Sequence, residues 1–235
     1  MDNSIRRAQK EVLSSLQNHK SDFALAGGTA LEFYYLNHRF SRDLDFFSPY
    51  YDVEKIKKSA DHIARHIKKK LHLEAEFVAS GKAKVRFYII NIGKKKVLKL
   101  DFVEDVLFKK PAIKYFDGIP VYDARHIYTQ KITAVAGSVL ASDMTGRDIV
   151  TGRQEARDIL DIYYLSKKIQ TLHSFLPEIS REYRRGFIAG WRNFPRMDLK
   201  LGLLELEIYD PAFDASEMIR YMENEISLFL SREEL

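Results

Sequence analysis

The sequence predicts an α+β protein in which strands and helices alternate over residues 1–123 and helices take over in residues 124–235. Three observations predict it. Short apolar, β-branched runs at residues 84–91 and 97–103 are separated by the polar turn Asn91-Ile92-Gly93-Lys94-Lys95-Lys96. A glycine pair, Gly27 and Gly28, opens an amphipathic segment directly after a short apolar run. From Ala124 onward, helix-length segments dominate the pattern. With 235 residues and 46% hydrophobic content, the chain can bury a substantial core, as one large domain or two small ones.

Taken in order, residues 3–19 read as a helix and residues 23–26 as a strand. A helix is expected over 29–36 and a strand over 43–47, where apolar and acidic residues alternate. The Tyr51-Asp52-Val53-Glu54 segment starts a helix expected to run to about residue 71. Residues 75–79, 84–91 and 97–103 are strands with polar turns between them. A turn at 113–120 and a short run at 119–122 close this half. Further helices are expected through Lys131 and over 149–166, 173–189 and 213–231. Residues 137–152, rich in Gly, Ser, Asp and Thr, form a loop. No internal repeat or low-complexity linker interrupts the chain.

The motif of most chemical interest is AGGTALEFYYLNHRFSRDLDFF, residues 26–47. On a strand, alternate side chains point the same way, so Asp43 and Asp45 share one face while Leu44 turns to the core. Two carboxylates on one face suit Mg²⁺, a hard cation that takes a few oxygen ligands and completes its shell with water and phosphate. Gly27 and Gly28 allow backbone amides to approach a phosphate chain, and the helix starting near Thr29 points its positive end there. The hydroxyls of Thr29 and Ser41 are placed either to reach phosphate oxygens or to cap the adjoining turn. Asp101, inside the run Val97-Leu98-Lys99-Leu100-Asp101-Phe102-Val103, needs a neutralising partner if buried. That partner is either a shared metal or a lysine such as Lys99 or Lys131.

A second constellation lies downstream, in a helix carrying Lys131 and in Arg157-Asp158-Ile159-Leu160-Asp161-Ile162-Tyr163-Tyr164-Leu165. Asp158 and Asp161 fall on adjacent turns of one helical face. Composition alone favours a solvated face there, with an exposed ion pair from Arg157 to Asp161.

The ordered set Gly-Gly-Thr-Ala-Leu, His-Arg-x-Ser-x-Asp-Leu-Asp-Phe, Leu-Asp-Phe-Val, a helical Lys131 and Arg-Asp-x-x-Asp-x-Tyr-x-Leu spans about residues 23–165. It resembles the AbiEii family, which includes MenT-type toxins, within the polymerase-β-like nucleotidyltransferases. The resemblance implies a minimal nucleotidyltransferase fold, a short mixed sheet flanked by helices, followed by a C-terminal helical bundle. The α/β domain would occupy residues 1–123, and residues 124–235 would complete the nucleotide site, with the loop at 137–152 near the nucleotide. It implies an NTP substrate, Mg²⁺ in two ions held by Asp43, Asp45 and Asp101, a nucleotide-binding Lys131 and a further active-site acid at Asp158, with Asp161 beside the nucleotide. It also implies transfer of a nucleoside monophosphate to an RNA acceptor, tRNA in particular, and a cognate antitoxin. Two departures stand out. Gly28 replaces a frequent serine, and Arg157 replaces a frequent lysine, whose point charge a planar guanidinium does not duplicate. Two other readings share the acids: a nucleotide-binding interaction module without transfer activity, and an aminoglycoside-type small-molecule nucleotidyltransferase.

Composition narrows the field. The net charge of +5 and pI near 9.1 suit an acidic partner. Basic groups concentrate at Lys55, Lys57, Lys58, Arg65, Lys68, Lys69 and Lys70, at Lys94 to Lys96, and at Arg181, Arg184 and Arg185 beside Tyr183 and Phe187. Each cluster fits phosphate tracking with aromatic stacking, or a solvated face. No apolar stretch reaches transmembrane length, and no signal-peptide pattern opens the chain, so a cytoplasmic protein without membrane association is expected. The absence of cysteine excludes disulfides and thiolate zinc sites. The seven histidines lack metal-ligand spacing, Trp191 reads as an anchor of the helical half, and neither a P-loop nor a nucleophilic triad is present.

Overall fold

In a computed structural model describing residues 3–17, 19, 21–79, 83–93, 95–137, 141–142, 148–149 and 152–233, the chain opens with helix α1 (Asn3–Ser15). Its buried residues Ile5, Ala8, Gln9, Val12 and Leu13 recur at the three- and four-residue steps of one helical face. Two units are distinguished: Met1–Tyr35 with Phe40–His126, and Leu36–Arg39 with Ile127–Leu235.

The first unit is built on strands β1 (Ala24–Ala26), β2 (Leu44–Ser48), β3 (Leu71–Phe77), β4 (Val85–Gly93), β5 (Lys96–Glu104), β6 (Ile113–Phe116) and β7 (Ile119–Tyr122). They form one mixed sheet in the order β3-β4-β5-β2-β1-β7-β6. β2 runs parallel to β5, and β1 parallel to β7, while the remaining neighbours are antiparallel. Leu44, Phe46, Leu98, Leu100 and Phe102 alternate onto one buried face, which α1 helps to cover; Asp45 and Asp101 alternate onto the other. The ring of Phe102 meets Phe23, Phe46 and Tyr88 at the centre of that core.

Several boundaries differ from the sequence reading for identifiable reasons. Helix α2 begins at Gly27 rather than Thr29 (Gly27–Ala30) and continues as a π-helical segment, Leu31–Leu36. Helix α3 (Val53–Ile67) starts where Asp52 accepts bonds from the Glu54 and Lys55 amides, and stops at left-handed Lys68 instead of running to residue 71. The freed residues begin β3. The expected turn at 113–120 is a hairpin: Asp117 and Gly118 take φ of 48° and 78°, the left-handed pair that an Asp-Gly dipeptide supplies between two strands.

Helix α4 (Ala124–Ala136) has its first three residues in the first unit and continues into the second. Strands β8 (Ala141–Ser142) and β9 (Asp148–Ile149) pair antiparallel, while the rest of the 138–151 stretch of the expected loop lies outside the described residues. Then follow α5 (Ala156–Lys168), α6 (Leu172–Phe175), α7 (Arg181–Asn193), α8 (Arg196–Leu204) and α9 (Ala215–Glu233). The helix expected over 173–189 is broken in two, because a short 3₁₀ turn containing Pro177 ends the first piece and Ser180 caps the second. α5 is buried from Ala156 through Ser166 except at Arg157. Among the described residues, no helix is long and apolar enough to cross a membrane.

Candidate active site

The first site is assembled by strand register. Asp45 and Asp101 are direct partners on the parallel pair β2 and β5, so both carboxylates emerge side by side from the half-buried face of the sheet. Asp43 lies two residues before Asp45, just ahead of β2.

The segment leading into β2 is held by a set of buried bonds. Gln9 Nε2 donates to the carbonyls of Ser41 and Arg42 at 2.8 and 3.0 Å. The Ser41 amide donates to Glu32 Oε2 at 2.8 Å, and Glu32 in turn pairs with Arg6. Thr29 Oγ1 donates to the Asp43 carbonyl and is fully buried. Through this bond Thr29 fixes the backbone that carries Asp43. Gln9, Glu32 and Arg6 had no motif to mark them, although Gln9 is a polar residue on an otherwise apolar helical face.

Gly27 is required here on two counts. Its φ of +67° disfavours any side chain, and a Cβ at this position would stand 2.1 Å from Asp45 Oδ2. Gly28 is buried in the same first helical turn. Gly27→Ala is therefore expected to displace Asp45 and reduce stability by about 1–3 kcal/mol, from strain and overpacking together. Urea unfolding of the variant checks the loss, and an unchanged midpoint would refute the close approach.

Asp101 bears the electrostatic consequence of this crowding. Burial, then the charges of Asp45 and Asp43, push its carboxyl up to about 7, against a weaker opposing effect of Lys99. Its Oδ1 is buried without a hydrogen-bond partner. Neither lysine considered as a neutralising partner is paired with it: Lys99 lies 3.8 Å from Glu74, and Lys131 is bound to Asp158 and Asp161. Among the described residues, no three His, Asp or Glu side chains form a closed metal cage. An all-oxygen cluster that leaves most of the coordination shell to phosphate and water nevertheless fits Mg²⁺, which seldom uses a protein-made cage.

The second cluster lies within the other unit. Lys131 Nζ, on α4, is 2.7 Å from Asp158 Oδ1 and 2.8 Å from Asp161 Oδ2, both on α5. Arg39 grips Asp161 with two parallel bonds, Nε to Oδ1 at 2.7 Å and Nη2 to Oδ2 at 2.8 Å. His38 Nε2 is 2.7 Å from the same Oδ1, and Arg153 Nη2 is 3.1 Å from Asp158 Oδ2. Both aspartates are fully buried, which overturns the solvated-face reading; Arg157 turns outward instead and pairs with Glu155 at 2.5 Å. Burial pushes Asp161 up, but Arg39, Lys131 and His38 outweigh it and hold the carboxyl well below the usual range. Burial pulls Lys131 down, and Asp158 and Asp161 overcome it. For His38, burial prevails and lowers its pKa, so the imidazole is neutral near pH 7. His38 and Arg39 belong to the recognised His-Arg motif, yet nothing in their spacing revealed that they serve the second cluster.

Two solved structures share the fold. JHP933 from Helicobacter pylori aligns over 100% of this chain and 94% of its own, with a TM-score of 0.65 and 18% identity. A candidate nucleotidyltransferase from H. pylori aligns over 98% and 95%, with a TM-score of 0.61 and 16% identity. No curated protein matches the chain significantly. Residues 11–216, which contain both carboxylate clusters, match the profile of the nucleotidyl transferase AbiEii toxins of type IV toxin–antitoxin systems, so the chain belongs to the AbiEii family of nucleotidyltransferases.

Proposed function

We propose that this toxin-family nucleotidyltransferase transfers a nucleoside monophosphate from an NTP to a hydroxyl of an RNA acceptor, with tRNA the first candidate, and that it does so in the cytoplasm, where a cognate antitoxin counters it. The observation that carries the reading is the side-by-side pair Asp45 and Asp101, with Asp43 adjoining and Asp101 raised to about 7. Asp43, Asp45 and Asp101 would hold Mg²⁺, in two ions, which when bound would polarise the triphosphate and acidify the acceptor hydroxyl. Asp101 assists removal of the hydroxyl proton. The hydroxyl oxygen then attacks the α-phosphorus, the bond to the bridging oxygen breaks, and pyrophosphate leaves. Gly27 and Gly28 bring backbone close to phosphate, and Ser41 stands at the entry to β2. In this reading residues 1–123 carry the reacting carboxylates, and Lys131, within residues 124–235, is a nucleotide-binding lysine, with Asp158 orienting it and Asp161 acting through the same lysine. Exposed Lys58, Arg65, Lys68, Lys69 and Lys70 at and beyond α3 support an RNA acceptor.

Incubation with each labelled NTP, Mg²⁺ and total RNA tests the proposal, and tRNA is expected to take the label. Binding of NTP without transfer to any acceptor would favour the interaction-module reading, and labelling of an antibiotic alone would favour the small-molecule reading.

The raised Asp101 pKa also sets a pH dependence. A cation binds the ionised carboxyl, so metal affinity should be full above about pH 7 and fall about tenfold per unit as pH drops below it, one proton being displaced. Calorimetric titration with Mn²⁺ at pH 6, 7 and 8 measures this; a flat profile would contradict Asp101 as a ligand.

A further inference from the structure

Lys131 sits at the middle of an alternating chain of charges: Arg39, Asp161, Lys131, Asp158, Arg153. An ammonium held by two carboxylates alone would be over-neutralised and of little use to an anion. Here each carboxylate also faces an arginine, Asp161 through the two-bond grip of Arg39 and Asp158 through an ion pair with Arg153, whose Nη2 lies 3.1 Å from Oδ2 without a hydrogen bond to it. An ammonium has three N–H donors. Asp158 and Asp161 take two, which leaves one for a further oxygen acceptor. The neighbouring imidazole of His38 adds a hydrogen bond to Asp161 without crowding the lysine with more charge.

We propose that Arg39 and Arg153 are positioning residues that act on Lys131 through the carboxylates they share with it, keeping its ammonium fixed in direction and electrostatically available to a polyphosphate. This rests on the reading of Lys131 as the nucleotide-binding lysine. Neither arginine need touch the nucleotide for the effect. Arg39 is 4% exposed and locked by its fork, whereas the Arg153 side chain is about half exposed. What the relay requires of each is its positive charge. The planar fork of Arg39 is a separate contribution to stability.

Charge and fork can be separated by experiment on the full chain. Tripolyphosphate binding is measured calorimetrically without metal, and kcat and KM for the NTP in the transfer assay, for wild type, Arg39→Lys, Arg39→Gln, Arg153→Gln and Lys131→Met. Both Arg39 variants should melt lower than wild type, because both lose the fork. Arg39→Gln should weaken tripolyphosphate binding and raise KM by about tenfold or more, with a smaller change in kcat, while Arg39→Lys should stay within about threefold of wild type. Equal losses in Arg39→Lys and Arg39→Gln would reduce Arg39 to a structural role and overturn the proposal. Should Arg39→Gln fail to fold, Arg153→Gln decides: a severalfold loss of tripolyphosphate affinity supports the relay, and unaltered affinity overturns it. If Lys131→Met binds tripolyphosphate as wild type does, the assignment of Lys131 itself fails. If Lys131→Met is impaired and the arginine variants are not, the failure is confined to the relay.

Discussion

Asp45→Asn should lower kcat for nucleotidyl transfer by about 10²–10³-fold or more, the scale expected for losing one group that stabilises charge in the transition state. The substitution keeps volume and shape on β2, whose buried residues Leu44 and Phe46 point to the opposite face, so the sheet should be unaffected. It also removes one of the charges that raise Asp101, so the Asp101 carboxyl should ionise at lower pH in the variant. A melting temperature equal to or above that of wild type, together with lost transfer, is the expected signature, because a like-charge repulsion has been relieved. Unimpaired transfer by folded Asp45→Asn would remove Asp45 from the reaction.

What could be read from the chain follows the range of the physics involved. Asp43-Leu44-Asp45 was legible because strand alternation is local, and Leu44 is indeed buried while Asp45 is not. The adjacency of Asp45 and Asp101 was implied only by family resemblance, since pairing β2 with β5 is a non-local event that skips two strands. The Asp117-Gly118 hairpin was legible in principle, since the dipeptide and its flanking apolar residues carry the signal. The burial of Asp158 and Asp161 was not. Composition marks aspartate as a surface residue, and only the arrival of Arg39, 122 positions earlier, and Lys131 makes their burial tolerable. The same reason hid His38 and Arg39: their partners lie on a helix that no local pattern connects to them.

That dependence makes Asp161 the residue whose loss should cost the fold most. Asp161→Ala removes from a fully buried position the one carboxylate that receives Arg39, His38 and Lys131 together. Arg39 would retain its charge with its two-bond acceptor gone, and Lys131 would be left to Asp158 alone. Breaking a buried pair from one side costs about 3–5 kcal/mol, whereas Arg157→Ala, which touches only the partly exposed pair with Glu155, should stay within about 0.5 kcal/mol. Urea midpoints of the two variants against wild type measure the contrast, and similar midpoints would mean that the buried network contributes nothing to stability. Acid supplies an independent check. Because the folded-state pKa of Asp161 is depressed, its contribution is fully present above the unfolded carboxylate range near 4 and is lost as pH falls through the folded value. The stability gap between wild type and Asp161→Ala should therefore be constant from neutral pH down to about 5 and narrow below about 4. A gap that widened on acidification would mean that Asp161 is protonated in the native protein and bonds its neighbours as a neutral acid.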